Sequence, residues 1–145
     1  MAPQWTDALM RLTLRGGSVY YLQHSSLSSP EPHYFIVLNI NPHGDSFLVL
    51  AVASSGVEKV RRRNLHLPSE TLVEILPGEH HGFPLHTIVD CNHWFRVTKE
   101  ELLIKLKARV ASEKDPLPPD ILAKLRQGVL ASPLIEAEIK DLLRS

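Results

Sequence analysis

A single cysteine, Cys91, excludes an internal disulfide and fits a reducing compartment, so a cytoplasmic location is expected. No apolar run reaches membrane-spanning length, and the opening MAPQWTDALMRLTLRGG has no long apolar stretch of a secretory leader. No sign of charge is in excess: 16 Lys+Arg face 16 Asp+Glu, so any nucleic-acid footprint must be local. A P-loop, a dinucleotide fingerprint and a Gly-x-Ser-x-Gly elbow are all missing, which removes the enzyme classes built on them. There is no internal repeat and no low-complexity segment. A length of 145 residues with 43% hydrophobic content suits one domain, 1–145, with one core.

Histidine is plentiful, at eight copies, and His80-His81 with His86 and His93 raises the question of a metal. Adjacent histidines on an extended chain point opposite ways. No cysteine pair or His-x-x-x-His supports them, so no metal and no cofactor is expected.

The dominant feature is His33 to Ser55, HYFIVLNINPHGDSFLVLAVASS. It reads as two strands, His33–Ile40 and Ser46–Ala53, joined by the turn cluster Asn41-Pro42-His43-Gly44-Asp45. Runs this apolar face a core on both sides or sit mid-sheet. In an antiparallel hairpin the polar ends, His33 and Ser54-Ser55-Gly56, lie side by side. They are the first candidate site.

Around this hairpin, Pro3 to Arg15 can form a short helix with Trp5, Leu9 and Leu12 on one side, or a disordered arm. Gly16-Gly17 breaks the chain before a strand over 18–22, and 23–32 is a Ser/Pro-rich loop. Residues 57–64 read as a basic loop with Lys59 and Arg61-Arg62-Arg63. Strands follow over 71–75 and 87–91, separated by a turn-rich loop. Thr98 and Glu101 form a capping box opening a helix with Leu102, Leu103, Leu106 and Val110 at helical spacing. Residues 112–119 read as a linker. A second helix starts at Pro118-Pro119 and carries Ile121, Leu122, Leu125 and Val129, with Gly128 weakening it. A third restarts at Ser132-Pro133. Strands over 16–95 and helices over 98–145 make an α+β pattern, and the short strands favour a small antiparallel barrel.

Gly17-Ser18-Val19-Tyr20-Tyr21, Pro32-His33-Tyr34-Phe35-Ile36-Val37-Leu38-Asn39, Ala53-Ser54-Ser55, Ile88-Val89-Asp90-Cys91-Asn92 and the helix from Leu117 to Leu125 are the segments to compare with known families. Together they resemble the MazF/PemK/Kid family of toxins from bacterial toxin–antitoxin pairs. The likeness covers roughly 16–95 and 117–131, and the helices near 99–111 and at the end are additions. It implies an SH3-like β-barrel (MazF/PemK/CcdB-like) with C-terminal helices, a homodimer, an antitoxin partner and metal-free cleavage of single-stranded RNA. One departure stands out: the family's arginine before the first long strand is replaced by His33. The Glu-Gln that often precedes it is also absent, leaving only Glu31.

Such cleavage uses the 2′-hydroxyl as internal nucleophile and needs a base, an acid and donors for the phosphorane charge. His33 is the candidate for proton transfer. Ser54 or Ser55 is the donor to phosphate. Arg61, Arg62 and Arg63 would hold the backbone. Asp90 could orient His33 or His93, with Asn92 beside it. The ordinary readings stand beside these: a solvent-facing strand end for His33, a solvated loop or dimer edge for the arginines, and a strand-end cap for Asp90 and Asn92. A second function also stays open, a non-catalytic barrel that binds RNA or protein. A DNA-binding regulator is disfavoured by neutral charge and the lack of a recognition helix.

Overall fold

The computed structural model describes residues 4–25, 32–80 and 82–144. Glu31 and His81, and most of the 23–32 loop, lie outside them. Seven strands form one antiparallel sheet: β1 (Val19–Leu22), β2 (His33–Val37), β3 (Leu48–Ser54), β4 (Leu72–Ile75), β5 (Thr87–Asp90), β6 (Phe95–Val97) and β7 (Ala111–Lys114). The order is β4-β5-β3-β2-β1-β7. β3 is the hub. One edge pairs with β2, and the other is divided between β6 at its start and β5 at its end.

The apolar density of β3 follows from burial on both faces. Val49, Ala51 and Ala53 face one core, shared with Ile36, Leu38 and the helices α4 (Pro119–Ala131) and α5 (Ala137–Asp141). Leu48 and Leu50 face a second core with Phe35, Val37, Met10 of α1 (Asp7–Thr13) and Leu102 and Leu106 of α3 (Lys99–Lys107). Helices covering both faces explain why the sheet does not close. β4 and β7 end the order without pairing to each other, so among the described residues it is an open sheet in place of the expected barrel.

The turn between β2 and β3 is built on Asn39, which is fully buried. Its amide donates to Asp45 and to the Phe47 carbonyl, and its oxygen accepts the Val49 amide at 2.7 Å. Arg126 of α4 donates to the Leu38 and Asn39 carbonyls at 2.8 and 2.9 Å. These bonds satisfy backbone that leaves the ladder at Leu38, earlier than the apolar run suggests.

Three elements differ from the sequence reading. The basic stretch is a helix, α2 (Val57–Arg63), because Val57 and Val60 stand one turn apart and pack on Ile88 and Leu72. Glu58 in its first turn and three arginines in its last match the helix dipole. The expected linker contains β7, which pairs with β1 through backbone bonds although only Ala111 is buried. In α1, Met10 and Leu14 turn inward with Trp5, while Leu12 is 83% exposed. The capping box of α3 is formed as read: Thr98 Oγ1 accepts from the Glu101 amide and Glu101 Oε1 accepts from the Thr98 amide, both at 3.1 Å.

Candidate active site

The β2–β3 register pairs Tyr34 with Ala53, so the next step places His33 opposite Ser54. β5 pairs Ser54 with Ile88, which brings Thr87 beside Ser55. All four residues line one cleft of about 340 Å³. Its other walls include Tyr21 and Tyr34 from the sheet and Phe83, Pro84 and Leu85 from the loop between β4 and β5. The Ser54 hydroxyl accepts the Gly56 amide at 3.0 Å, which leaves its own proton to be donated. Ser55 is exposed at the mouth. The Thr87 hydroxyl is turned away, donating to the Leu85 carbonyl at 2.9 Å.

Two larger hollows, of about 530 and 590 Å³, lie against α1, α3 and β7. His43 in the first has its ring committed to the Leu14 carbonyl at 2.7 Å, and Lys99 donates to the His43 carbonyl. The smaller cleft is the one that the His33 end of β2 and the serine end of β3 both line, so it is the candidate site.

The other residues read from the sequence sit outside that cleft. Arg61 is held by Glu58 and Glu74, and Glu74 also meets His86 Nε2 at 2.7 Å. The bond to Glu74 raises the Arg61 pKa above its ordinary value. Arg62 is exposed, and among the described residues it pairs with no acid. Arg63 approaches Asp90 Oδ2 at 3.6 Å. Seven helical residues span about 10 Å, and so do three residues of strand. α2 and β5 therefore carry Arg62 and Arg63 roughly that far from the cleft.

Asp90 and Asn92 were expected at a polar strand end open to RNA, and the structure buries both. Asp90 accepts from the Asn64 amide at 3.1 Å and the Asn92 backbone at 3.0 Å. The Asn92 side chain donates to Thr71 Oγ1 and accepts from Ser132 at 2.7 Å. This network ties the end of α2, the 3-10 turn Ser69–Thr71, the end of β5 and the end of α4 together. Burial is tolerated because every amide and carboxylate in it is bonded. Of the two histidines considered for Asp90, His93 is the one that stands near, with Nε2 3.7 Å from Oδ2. Cys91 is fully buried, and its thiol is pushed up to about 12 by burial, which denies it a role as nucleophile.

His80 is buried, with Nδ1 accepting the Gly82 amide at 3.0 Å and Nε2 at 3.2 Å from the Pro116 carbonyl. It stands apart from His86, which pairs with Glu74. Tyr21, Tyr34 and Phe83 are cleft residues that sequence reasoning did not single out. The usable signal was alternation on β1: with Tyr20 buried, Tyr21 must face the other side of the sheet.

No protein-family model matches the chain, and no curated protein matches it. Solved structures do. An endoribonuclease in complex with its cognate antitoxin, from a mycobacterial species, aligns with a TM-score of 0.52 at 13% identity, over 80% of this chain and 90% of that one. An endoribonuclease from a mycobacterial species gives 0.51 at 13% identity, over 81% and 88%. A MazE–MazF complex from Deinococcus radiodurans gives 0.48 at 15% identity, over 81% and 92%. At such identities the likeness is one of fold: the chain shares the fold of the two mycobacterial endoribonucleases.

Proposed function

We propose that this chain is a toxin-type endoribonuclease of a type II toxin–antitoxin pair that cuts single-stranded RNA without a metal. The observation that carries the reading is the placement of His33 opposite Ser54 on a cleft within the fold shared with the two mycobacterial endoribonucleases. In the reaction the 2′-hydroxyl gives its proton to a base and its oxygen attacks the adjacent phosphorus. The phosphorus–O5′ bond breaks, and the leaving 5′-oxygen takes up a proton. The products are a cyclic phosphate and a free 5′-hydroxyl. His33 moves the proton, since imidazole can accept or donate one near neutral pH. Ser54 and Ser55 donate to the non-bridging oxygens as charge builds on them. Arg62 and Arg63 hold the backbone leading away from the cleft. Asp90 and Asn92 serve this reading indirectly, by fixing the end of α2 that carries Arg63.

The protein works as a homodimer in this reading. Its antitoxin covers the cleft and the arginines with an acidic segment, in keeping with the antitoxin-bound structural neighbour.

The deciding experiment is cleavage of a long single-stranded RNA in EDTA by wild type, His33→Ala and Ser54→Ala. Wild-type cleavage with at least a hundredfold loss in His33→Ala is the expected result. Absence of cleavage by folded wild type would overturn it. One observation favours a second reading, a non-catalytic RNA- or protein-binding module: no arginine is among the described residues lining the cleft. Under that reading wild type binds RNA or a protein partner and cuts nothing.

A further inference from the structure

The cleft has an aromatic wall that the proton transfers above do not use. Tyr21 and Tyr34 are cross-strand partners on β1 and β2, with ring centroids 4.7 Å apart and planes inclined by 48°. Phe83 meets Tyr34 edge-on at 5.3 Å, and His80 meets Phe83 at 5.0 Å. The wall is held in place from behind. Phe83 is buried and its amide donates to the His80 carbonyl, while the His80 ring lies within bonding distance of the Gly82 amide and the Pro116 carbonyl. Tyr21 and Tyr34 are only half-buried. Among the described residues neither phenol oxygen has a hydrogen-bond partner in the protein. Lys114 of β7 stands with Nζ 5.9 Å from the Tyr21 ring centroid.

We propose that this wall is a nucleobase subsite: the base next to the scissile phosphate packs against Tyr34, and the two phenol hydroxyls meet its edge. The inference rests on the ribonuclease reading and extends it to base selection. Tyr34 is paired with Ala53, and Ser55 lies on the same face two residues on, so a base on the wall leaves its own phosphate at Ser55 and the strand end that carries His33. A space of about 340 Å³ falls within the range of small-ligand sites. Lys114 supplies a positive charge for backbone beyond the base. Aromatic rings attract any base through its face, whereas hydroxyls aimed at the edge discriminate among bases.

The test is binding of a single-stranded RNA oligonucleotide blocked by 2′-deoxy substitution, with one abasic position walked along it, read by fluorescence anisotropy. In wild type, one abasic position costs about tenfold in affinity. Tyr34→Ala binds the intact oligonucleotide about tenfold more weakly and loses nothing further at that abasic position. Tyr34→Phe keeps the stacking loss and changes the preference among the four bases. Tyr21→Ala provides a second reading should Tyr34→Ala fail to fold by circular dichroism, and it is expected to alter the base preference. Binding by wild type with a uniform abasic response overturns the subsite alone. Unchanged RNA binding in folded Tyr34→Ala overturns it as well and leaves the wall to a protein partner. Wild type that binds none of the oligonucleotides overturns the ribonuclease reading and this inference together.

Discussion

Gly128 of α4 lies directly on Cys91 at the end of β5. A Cβ at position 128 would come within 2.8 Å of the Cys91 sulfur and 2.8 Å of the Glu70 carbonyl. Intrinsic helix propensity favours alanine over glycine by about 1 kcal/mol. The contact reverses that preference, because neither a buried sulfur nor a backbone carbonyl can step aside cheaply. Gly128→Ala is therefore expected to destabilise the protein by about 1–3 kcal/mol, read as a lower urea midpoint. A stabilised variant would mean that α4 can move away from the sheet without cost.

Asn92 is expected to act through stability. Its amide and carbonyl join Thr71, Asn64, Asp90 and Ser132 in a buried cluster. Asn92→Ala leaves those partners short of a donor or an acceptor, at an expected loss of about 2–3 kcal/mol. The urea midpoint should fall, while RNA affinity of the folded fraction falls by no more than it does in Arg63→Ala, because Asn92 reaches RNA only through the end of α2. Unchanged stability with lost RNA binding would return Asn92 to the role of an RNA contact.

The capping box offers a pH-dependent test. The amide and hydroxyl of Thr98 hold the Glu101 carboxyl below its ordinary value, with the backbone bond the larger cause. The folded state then takes up this proton less readily than the unfolded chain. The stabilisation is complete above the unfolded value of about 4.3 and is lost as pH falls through the lower folded value. Glu101→Gln keeps an acceptor at the same position and cannot titrate there. The melting-temperature gap between wild type and Glu101→Gln should hold steady above about pH 5.5 and narrow toward pH 3. A gap that does not change over that range would show the carboxylate to be unengaged.

The sequence carried some of these features openly and hid others. The two-sided burial of β3, the pairing of His33 with the serine end and the Thr98–Glu101 box all depend on local pattern, and each was legible. The α2 helix was not, because three consecutive arginines mask the one-turn spacing of Val57 and Val60. β7 could not be found by alternation, since Ser112, Glu113 and Lys114 are all exposed and its pairing uses only backbone. Closure of the sheet depends on which faces the helices cover, and no local pattern reports that. The aromatic wall needed the register between β1 and β2 together with a loop whose Phe83 sits among turn residues.

The three arginines of α2 look alike in sequence and differ in surroundings, which lets salt dependence separate them. Arg61 bridges Glu58 in its own helix and Glu74 on β4, so its charge is already answered within the protein. Arg62 is exposed, and among the described residues it pairs with no acid. Arg63 shares the Asp90 carboxylate with His93 at 3.6 and 3.7 Å, beyond hydrogen-bond length, and its side chain is 53% exposed. Each lysine or arginine that neutralises a phosphate of single-stranded RNA adds about 0.7 to the slope of log affinity against log salt. Arg62→Ala and Arg63→Ala should each flatten that slope by about this amount. Arg61→Ala should leave the slope as it is and lower the melting temperature by loosening α2 from β4. An equal fall in slope for all three would show that Arg61 leaves its carboxylates when RNA arrives, and no change in any would remove α2 from the RNA-binding face.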